Sequence, residues 1–350
     1  MNKFLKEIYQ QPKALKNTLN YYVNGEGKMK LAKVKSVIEK TRFDQIIFTG
    51  MGSSYFTSYA SSVFLNRFQI HSFAMNASEL LHYNFSVLEK KTLLICTSQS
   101  GESFEIKELK KVLPPTVHCI GITNEQESSL AKNADFTLLT KSGKEEMTST
   151  KTYVSTLLVS YILGMYLSGN FGDEQVNAVR KLIDNTEAML SGYDEYVNEM
   201  LDFFGETNTL QVIARGSDFS TACQSALMFK EAVKVAAAGI LGGEFRHGPM
   251  EMVQPGFKAI LFASKGKTFS QSINMAREIA HFGGRVLLLT NDETQLINEN
   301  ILKVYINEQD QFLFTILSII PVQLFIDSYA KARGFEAGSF SRGTKVTVIE

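Results

Sequence analysis

Residues 93–103, Leu-Leu-Ile-Cys-Thr-Ser-Gln-Ser-Gly-Glu-Ser, decide how the rest of the chain is read. The apolar run Leu93–Ile95 predicts a buried strand. It breaks into Ser98, Gln99, Ser100, Gly101 and Ser103, and a helical pattern follows from Phe104 to Val112. The first N–H groups of a helix lack intrahelical partners and carry partial positive charge, and serine hydroxyls add donors beside them. Gly101 lets the backbone turn tightly against an anion. One serine at such a junction reads as an ordinary N-cap. Four hydroxyl residues in the seven positions 97–103, around one glycine, predict a phosphate cradle instead.

The same alternation extends on either side. Residues 1–40 read as helical, and Ile46–Thr49 predicts a strand running into Gly50-Met51-Gly52-Ser53-Ser54 and an amphipathic helix, Tyr55–Phe68. Beyond the cradle come a strand at Val117–Thr123, a helix near Ser128–Ala134 and a strand at Asp135–Leu139. Strands alternating with helices imply a parallel sheet covered on both faces. Residues 151–168 predict a long apolar core helix, and Asp173–Phe204 a charged helical connector.

The pattern then recurs at offsets of 164, 166 and 167 residues: Leu210–Ala214 follows Ile46–Thr49, Ser264 follows Ser98, and Thr290 follows Thr123. Two copies of one α/β unit are therefore expected. The second is poorer in hydroxyls, Ser264-Lys-Gly-Lys-Thr268 facing Ser98-Gln-Ser-Gly-Glu-Ser103, so the phosphate belongs to copy one. The expected organisation is N-terminal helices over 1–40, a first domain over 41–170, a connector over 171–204, a second domain over 205–330 and a tail over 331–350. Each domain is an α/β three-layer αβα sandwich.

Composition narrows the partners. The chain has 350 residues, and its 36 Lys plus Arg balance 36 Asp plus Glu, which argues against nucleic-acid binding through a broad basic surface. Cys96, Cys119 and Cys223 lack metal-ligand spacing and read as buried reduced thiols of a cytoplasmic protein. The N-terminus has no signal-peptide core. The apolar runs at 153–167 and 312–326 are broken by Ser155, Ser160, Gly164, Ser318, Pro321 and Gln323, which makes them core helices rather than membrane spans. No histidine or acid cluster suggests a metal, and no cofactor is expected.

The Gly-x-Gly-Ser-Ser turn, the Thr-Ser-Gln-Ser-Gly-Glu-Ser stretch and Gly243-Glu-Phe-Arg-His-Gly-Pro249 together resemble the sugar isomerase (SIS) domain proteins. The layout is similar to the isomerase half of glucosamine-6-phosphate synthase, and to free-standing glucosamine-6-phosphate deaminases and fructosamine-6-phosphate deglycases. The resemblance implies that Ser54, Ser98, Gln99, Ser100 and Ser103 hold a sugar phosphate, with Ser149 of Ser149-Thr-Lys151 near the sugar. It also implies a catalytic Glu231 and a ring-opening His247 that reaches the site of the neighbouring subunit in a homodimer. Lys345, in Thr344-Lys-Val-Thr, stands for the family's C-terminal lysine and completes the site from the tail. Two departures are visible: Met228 stands where the synthase carries a lysine, and residues 337–343 lack the usual Pro-Arg-Asn pattern.

Aldose–ketose chemistry moves a proton between C1 and C2 and needs one base beside the open-chain sugar. Partial burial among Phe229, Ala232 and Val233 would raise the pKa of Glu231 and suit it to that role. An imidazole titrates near neutrality, so His247 can pass a proton to the ring oxygen. Glu102, next to the cradle glycine, is expected to point away from a phosphate and stabilise a helix start. The chain begins Met1-Asn2 and has no cysteine before Cys96, so the N-terminal-cysteine glutaminase chemistry of a synthase is not expected of it. The expected activity is conversion of glucosamine 6-phosphate to fructose 6-phosphate and ammonia. A fructosamine-6-phosphate deglycase, a simple phosphosugar isomerase and a non-catalytic sugar-phosphate-binding regulator are the alternatives.

Overall fold

The apolar run at the centre of the sequence becomes a strand buried at all six positions, Thr92–Thr97. In a computed structural model describing residues 1–294, 296, 298–338 and 345, it is β3 of a five-stranded parallel sheet. Its companions are β1 (Gln45–Gly50), β2 (Ser72–Asn76), β4 (His118–Thr123) and β5 (Phe136–Leu139), in the order β2-β1-β3-β4-β5. The register sets Ile95 between Phe48 and Ile120, so the central strands stack aliphatic and aromatic side chains across both faces. The helix Phe104–Val112 returns from the end of β3 with Ile106 and Leu109 against Leu94, Cys96 and Cys119.

Two compact units divide the chain. One holds Gln10–Ile183 and Lys345; the other holds Met1–Tyr9 and residues 184–338. In the first unit the helix Lys151–Leu167 is buried at every position from Lys151 to Gly164, as a helix apolar all round must be. In the second, β6 (Thr209–Ala214), β7 (Ala236–Leu241), β8 (Lys258–Ala263), β9 (Arg285–Thr290) and β10 (Ile301–Tyr305) form a parallel sheet in the order β10-β9-β8-β6-β7. Matched by position in the repeat, the two sheets have the same topology. The fold class is the two-copy α/β arrangement expected.

Two strands escape a reading of local pattern. Ser72-Phe-Ala-Met-Asn holds no β-branched residue, and Ala236-Ala-Ala-Gly-Ile-Leu is led by a good helix former. Both pair only along one side, β2 on β1 and β7 on β6, so the exposed edge of a central strand dictates their extended state. Among the described residues one stretch, Gln311–Ala332, is long and apolar enough to cross a membrane, and 94% of its most apolar 18-residue window is buried within the fold.

Candidate functional site

The cradle forms at the C-terminal ends of β1 and β3, where ligands sit in open parallel sheets. Gly101 has φ +66°, and a Cβ there would lie 2.1 Å from the Ser128 Oγ, so both backbone and space demand glycine. A Cβ at Gly50 would lie 2.9 Å from both Ser54 and the Thr97 carbonyl. Its absence lets the helix Ser53–Asn66 close onto the end of β3, bringing Ser54 beside the Ser98 turn.

Within that turn Ser98 is buried, and its Oγ lies 2.9 Å from the Oγ of Ser103 and accepts from the Gly101 N–H at 3.1 Å. Ser103 occupies the N-cap position of the Phe104–Val112 helix, yet its side chain makes no capping bond. The cap reading therefore fails for the residue placed to satisfy it. Ser100 Oγ accepts from the Glu102 N–H at 3.2 Å, and the Gln99 carbonyl accepts from Asn124 N–H and Thr123 Oγ at 3.0 and 3.1 Å. These bonds fix the loop while leaving Gln99 and Ser100 half-buried.

Glu102 does turn away, and it stabilises a helix start, though not that of its own helix. Its carboxylate accepts from the N–H and hydroxyl of Ser129, at 2.6 and 2.9 Å, at the head of Ser129–Asn133. The Ser129 N–H is the main reason its pKa lies below the ordinary glutamate value.

The loop carrying Ser149 is organised by a residue that the sequence reading missed. Glu145 has a fully buried side chain at the start of the helix Lys151–Leu167. Its Oε1 accepts from Thr150 N–H (2.9 Å), Thr150 Oγ (3.2 Å) and Thr152 N–H (3.1 Å). Its Oε2 accepts from Thr152 Oγ at 2.5 Å and pairs with Lys345 Nζ at 2.7 Å. A carboxylate at a helix N-terminus is favoured by the helix dipole. Lys345 Nζ also donates to the Met147 carbonyl. A cavity of about 820 Å³ brings Lys345 and Glu145 together with Gln99 and Ser100, a size suited to a small ligand. Ser54, Ser98, Ser103 and Ser149 are not among the residues that line it.

Glu231 and His247 belong to the other unit. Glu231 is half-buried in a π-helical turn, Phe229–Val233, that ends the helix Asp218–Met228. Such turns cluster at functional positions because the extra residue per turn re-aims a side chain. Lys234, left-handed at φ +61°, closes the turn and donates from Nζ to the Glu231 carbonyl. Met228, at the position of the synthase lysine, is fully buried. His247 is exposed and ends the short helix Gly242–Arg246, its N–H donating to the Glu244 carbonyl at 3.0 Å. The Glu231 turn precedes β7 and the His247 helix follows it. At about 3.3 Å per residue, the six residues of β7 that intervene between the turn and the helix span roughly 17 Å.

Two segments, 41–165 and 204–329, match the SIS domain family, and the chain belongs to it. Among its relatives it is 30% identical over 342 residues to glutamine–fructose-6-phosphate aminotransferase (isomerizing) of Pyrococcus horikoshii, covering 94% of this chain and 55% of that one. The chain thus spans about half the length of the curated relatives it matches. Among solved structures, the C-terminal domain of glucosamine-fructose-6-phosphate aminotransferase from Francisella tularensis superposes with a TM-score of 0.85 at 23% identity, over 97% of this chain and 98% of that one. Glucosamine-6-phosphate deaminase of Thermotoga maritima superposes with a TM-score of 0.73 at 22% identity, over 99% and 100%. At these identities the two structures share the fold.

Proposed function

We propose that the protein is a cytoplasmic enzyme that converts glucosamine 6-phosphate and water to fructose 6-phosphate and ammonia. The observation that carries this reading is the Ser98 turn, where the buried Ser98 hydroxyl meets the half-buried Ser103 hydroxyl at the head of a helix whose N-cap side chain does not cap it. The phosphate lies among Ser54, Ser98, Gln99, Ser100 and Ser103, with Ser149 beside the sugar. His247 protonates the ring oxygen as the hemiacetal opens. Glu231 removes the C2 proton and returns it to C1, which leaves an imine at C2; water adds there and ammonia departs. Lys345 lines the same cavity as Gln99 and Ser100, its ammonium paired with Glu145.

The separation along β7 supports a homodimeric site in which His247 serves the neighbouring protomer. Mixing inactive Glu231→Gln protomers with inactive His247→Ala protomers then restores part of the activity, because one site of each mixed dimer carries both wild-type groups. No recovery after confirmed subunit exchange would refute sharing. The reaction itself is tested by incubating the protein separately with glucosamine 6-phosphate and with a fructosamine 6-phosphate. The products assayed are fructose 6-phosphate, ammonia and glucose 6-phosphate. Ammonia and fructose 6-phosphate from the first substrate are expected. Turnover of the adduct alone would make the protein a deglycase.

A further inference from the structure

The second sheet ends in turns equivalent to those of the first. By the offsets of the repeat, Asp218 stands where copy one has Ser54, and Ser264 stands where it has Ser98. Asp218 is the first residue of the helix after β6, and it is buried. An aspartate in the first turn of a helix often bonds to the free N–H groups there. This one does not. Its carboxylate accepts from Ser264 Oγ at 2.6 Å, from Thr315 Oγ at 2.8 Å and from the Ser264 backbone.

Among the described residues no cation pairs with Asp218, and the nearby Lys265 is held by Asp292 at 3.2 Å. A buried carboxylate is thus satisfied by two hydroxyls and a backbone N–H. These are the kinds of donor that the Ser54 and Ser98 turns present in copy one. Burial pushes its pKa up to about 6, against the downward pull of the Ser264 and Thr315 bonds, so it remains largely ionised at neutral pH.

We infer that Asp218 is a built-in anion filling the second copy's cradle, so that each chain takes one phosphosugar, in copy one, and removal of this carboxylate opens a latent oxyanion site. The inference rests on reading the Ser98 turn as the phosphate cradle, and the test separates the two. Binding of inorganic phosphate and of fructose 6-phosphate is followed by calorimetry on the full chain. Wild type binds one equivalent per chain. Ser98→Ala/Ser100→Ala binds none, and persistent binding there would sink the copy-one cradle alone. Adding Asp218→Ser to that double variant restores one equivalent of inorganic phosphate. Two equivalents in wild type, or a folded triple variant that binds none, would overturn the inference. Where Asp218→Ser unfolds in chloride, phosphate or sulfate at equal ionic strength refolds it and raises its melting midpoint with the logarithm of anion concentration. Failure of both anions to do so would overturn it as well.

Discussion

The turns after β3 and β8 sit at equivalent places in two sheets of identical strand order, yet they dispose of negative charge in opposite ways. After β3, Ser98 and Ser103 hydroxyls lie 2.9 Å apart, and among the described residues no acidic side chain is bonded to them. After β8, the hydroxyl of Ser264 is committed to Asp218. Backbone topology delivers the donors in both copies. At the head of the neighbouring helix stands Ser54 in one copy and Asp218 in the other, and on the inference above this residue decides whether the donors serve a ligand or the chain itself. Copy two is not idle, since it carries Glu231 and His247. On the proposed function, copy one binds the phosphate and copy two supplies the proton transfer.

The largest effect that could break this division is at Glu231. Glu231→Gln keeps size and some hydrogen bonding but removes the basic oxygen, so turnover falls by ~10²–10⁴. Fructose 6-phosphate binding changes little by calorimetry, and exchange of the substrate C2 proton with deuterium stops. Wild type that binds both candidate substrates yet shows neither turnover nor exchange would instead be a sugar-phosphate-binding regulator. Next in size is Ser98→Ala/Ser100→Ala. Two hydrogen bonds to a charged phosphate, at roughly 1.5–3 kcal/mol each, correspond to a KM raised by about 10²-fold or more with the fold intact. An unchanged KM would place the anion elsewhere.

Asp218 gives the third test through pH. Its carboxyl is raised from 3.8 to about 6 in the folded chain, so folding favours the protonated form. Its contribution to stability is fully present below about pH 4 and is lost as pH rises through about 6, on the order of 3 kcal/mol in total. Urea midpoints of wild type, relative to Asp218→Asn, should therefore fall between pH 4 and pH 7. Parallel curves for the two proteins would contradict the buried, titrating carboxylate.

These differences were unequally legible in the sequence. The Leu93–Ile95 run and the serines after it are local signals, so β3, its helix and the turn between them could be read directly. The edge strands β2 and β7 could not, because pairing with β1 and β6 rather than composition makes them extended. Glu231 reads as a helical residue, and only the structure shows the π turn beneath it. Glu145 and Lys345 are 200 residues apart, and Ser264 lies 46 from Asp218. No periodicity spans such distances. The sequence signal for Asp218 was the repeat itself: aligned on Ser54, an acid stands where a hydroxyl is expected, beside a serine that is retained.

The smallest effect is the sharpest comparison, because it makes in copy two part of the change made in copy one. Ser264→Ala removes one of the donors that hold a buried carboxylate, leaving Thr315 and the Ser264 backbone N–H in place. A hydrogen bond to a charged group is worth about 1.5 kcal/mol at the low end, and the surviving donors keep the loss there. Unfolding in urea should occur at a lower midpoint by that amount. The carboxyl of Asp218, with one stabilising bond gone, should titrate higher still. KM for the phosphosugar should not change, since the donor serves an internal anion. A rise in KM comparable to that of Ser98→Ala/Ser100→Ala would mean that the second turn also reaches the substrate, and the assignment of binding to one copy would fail.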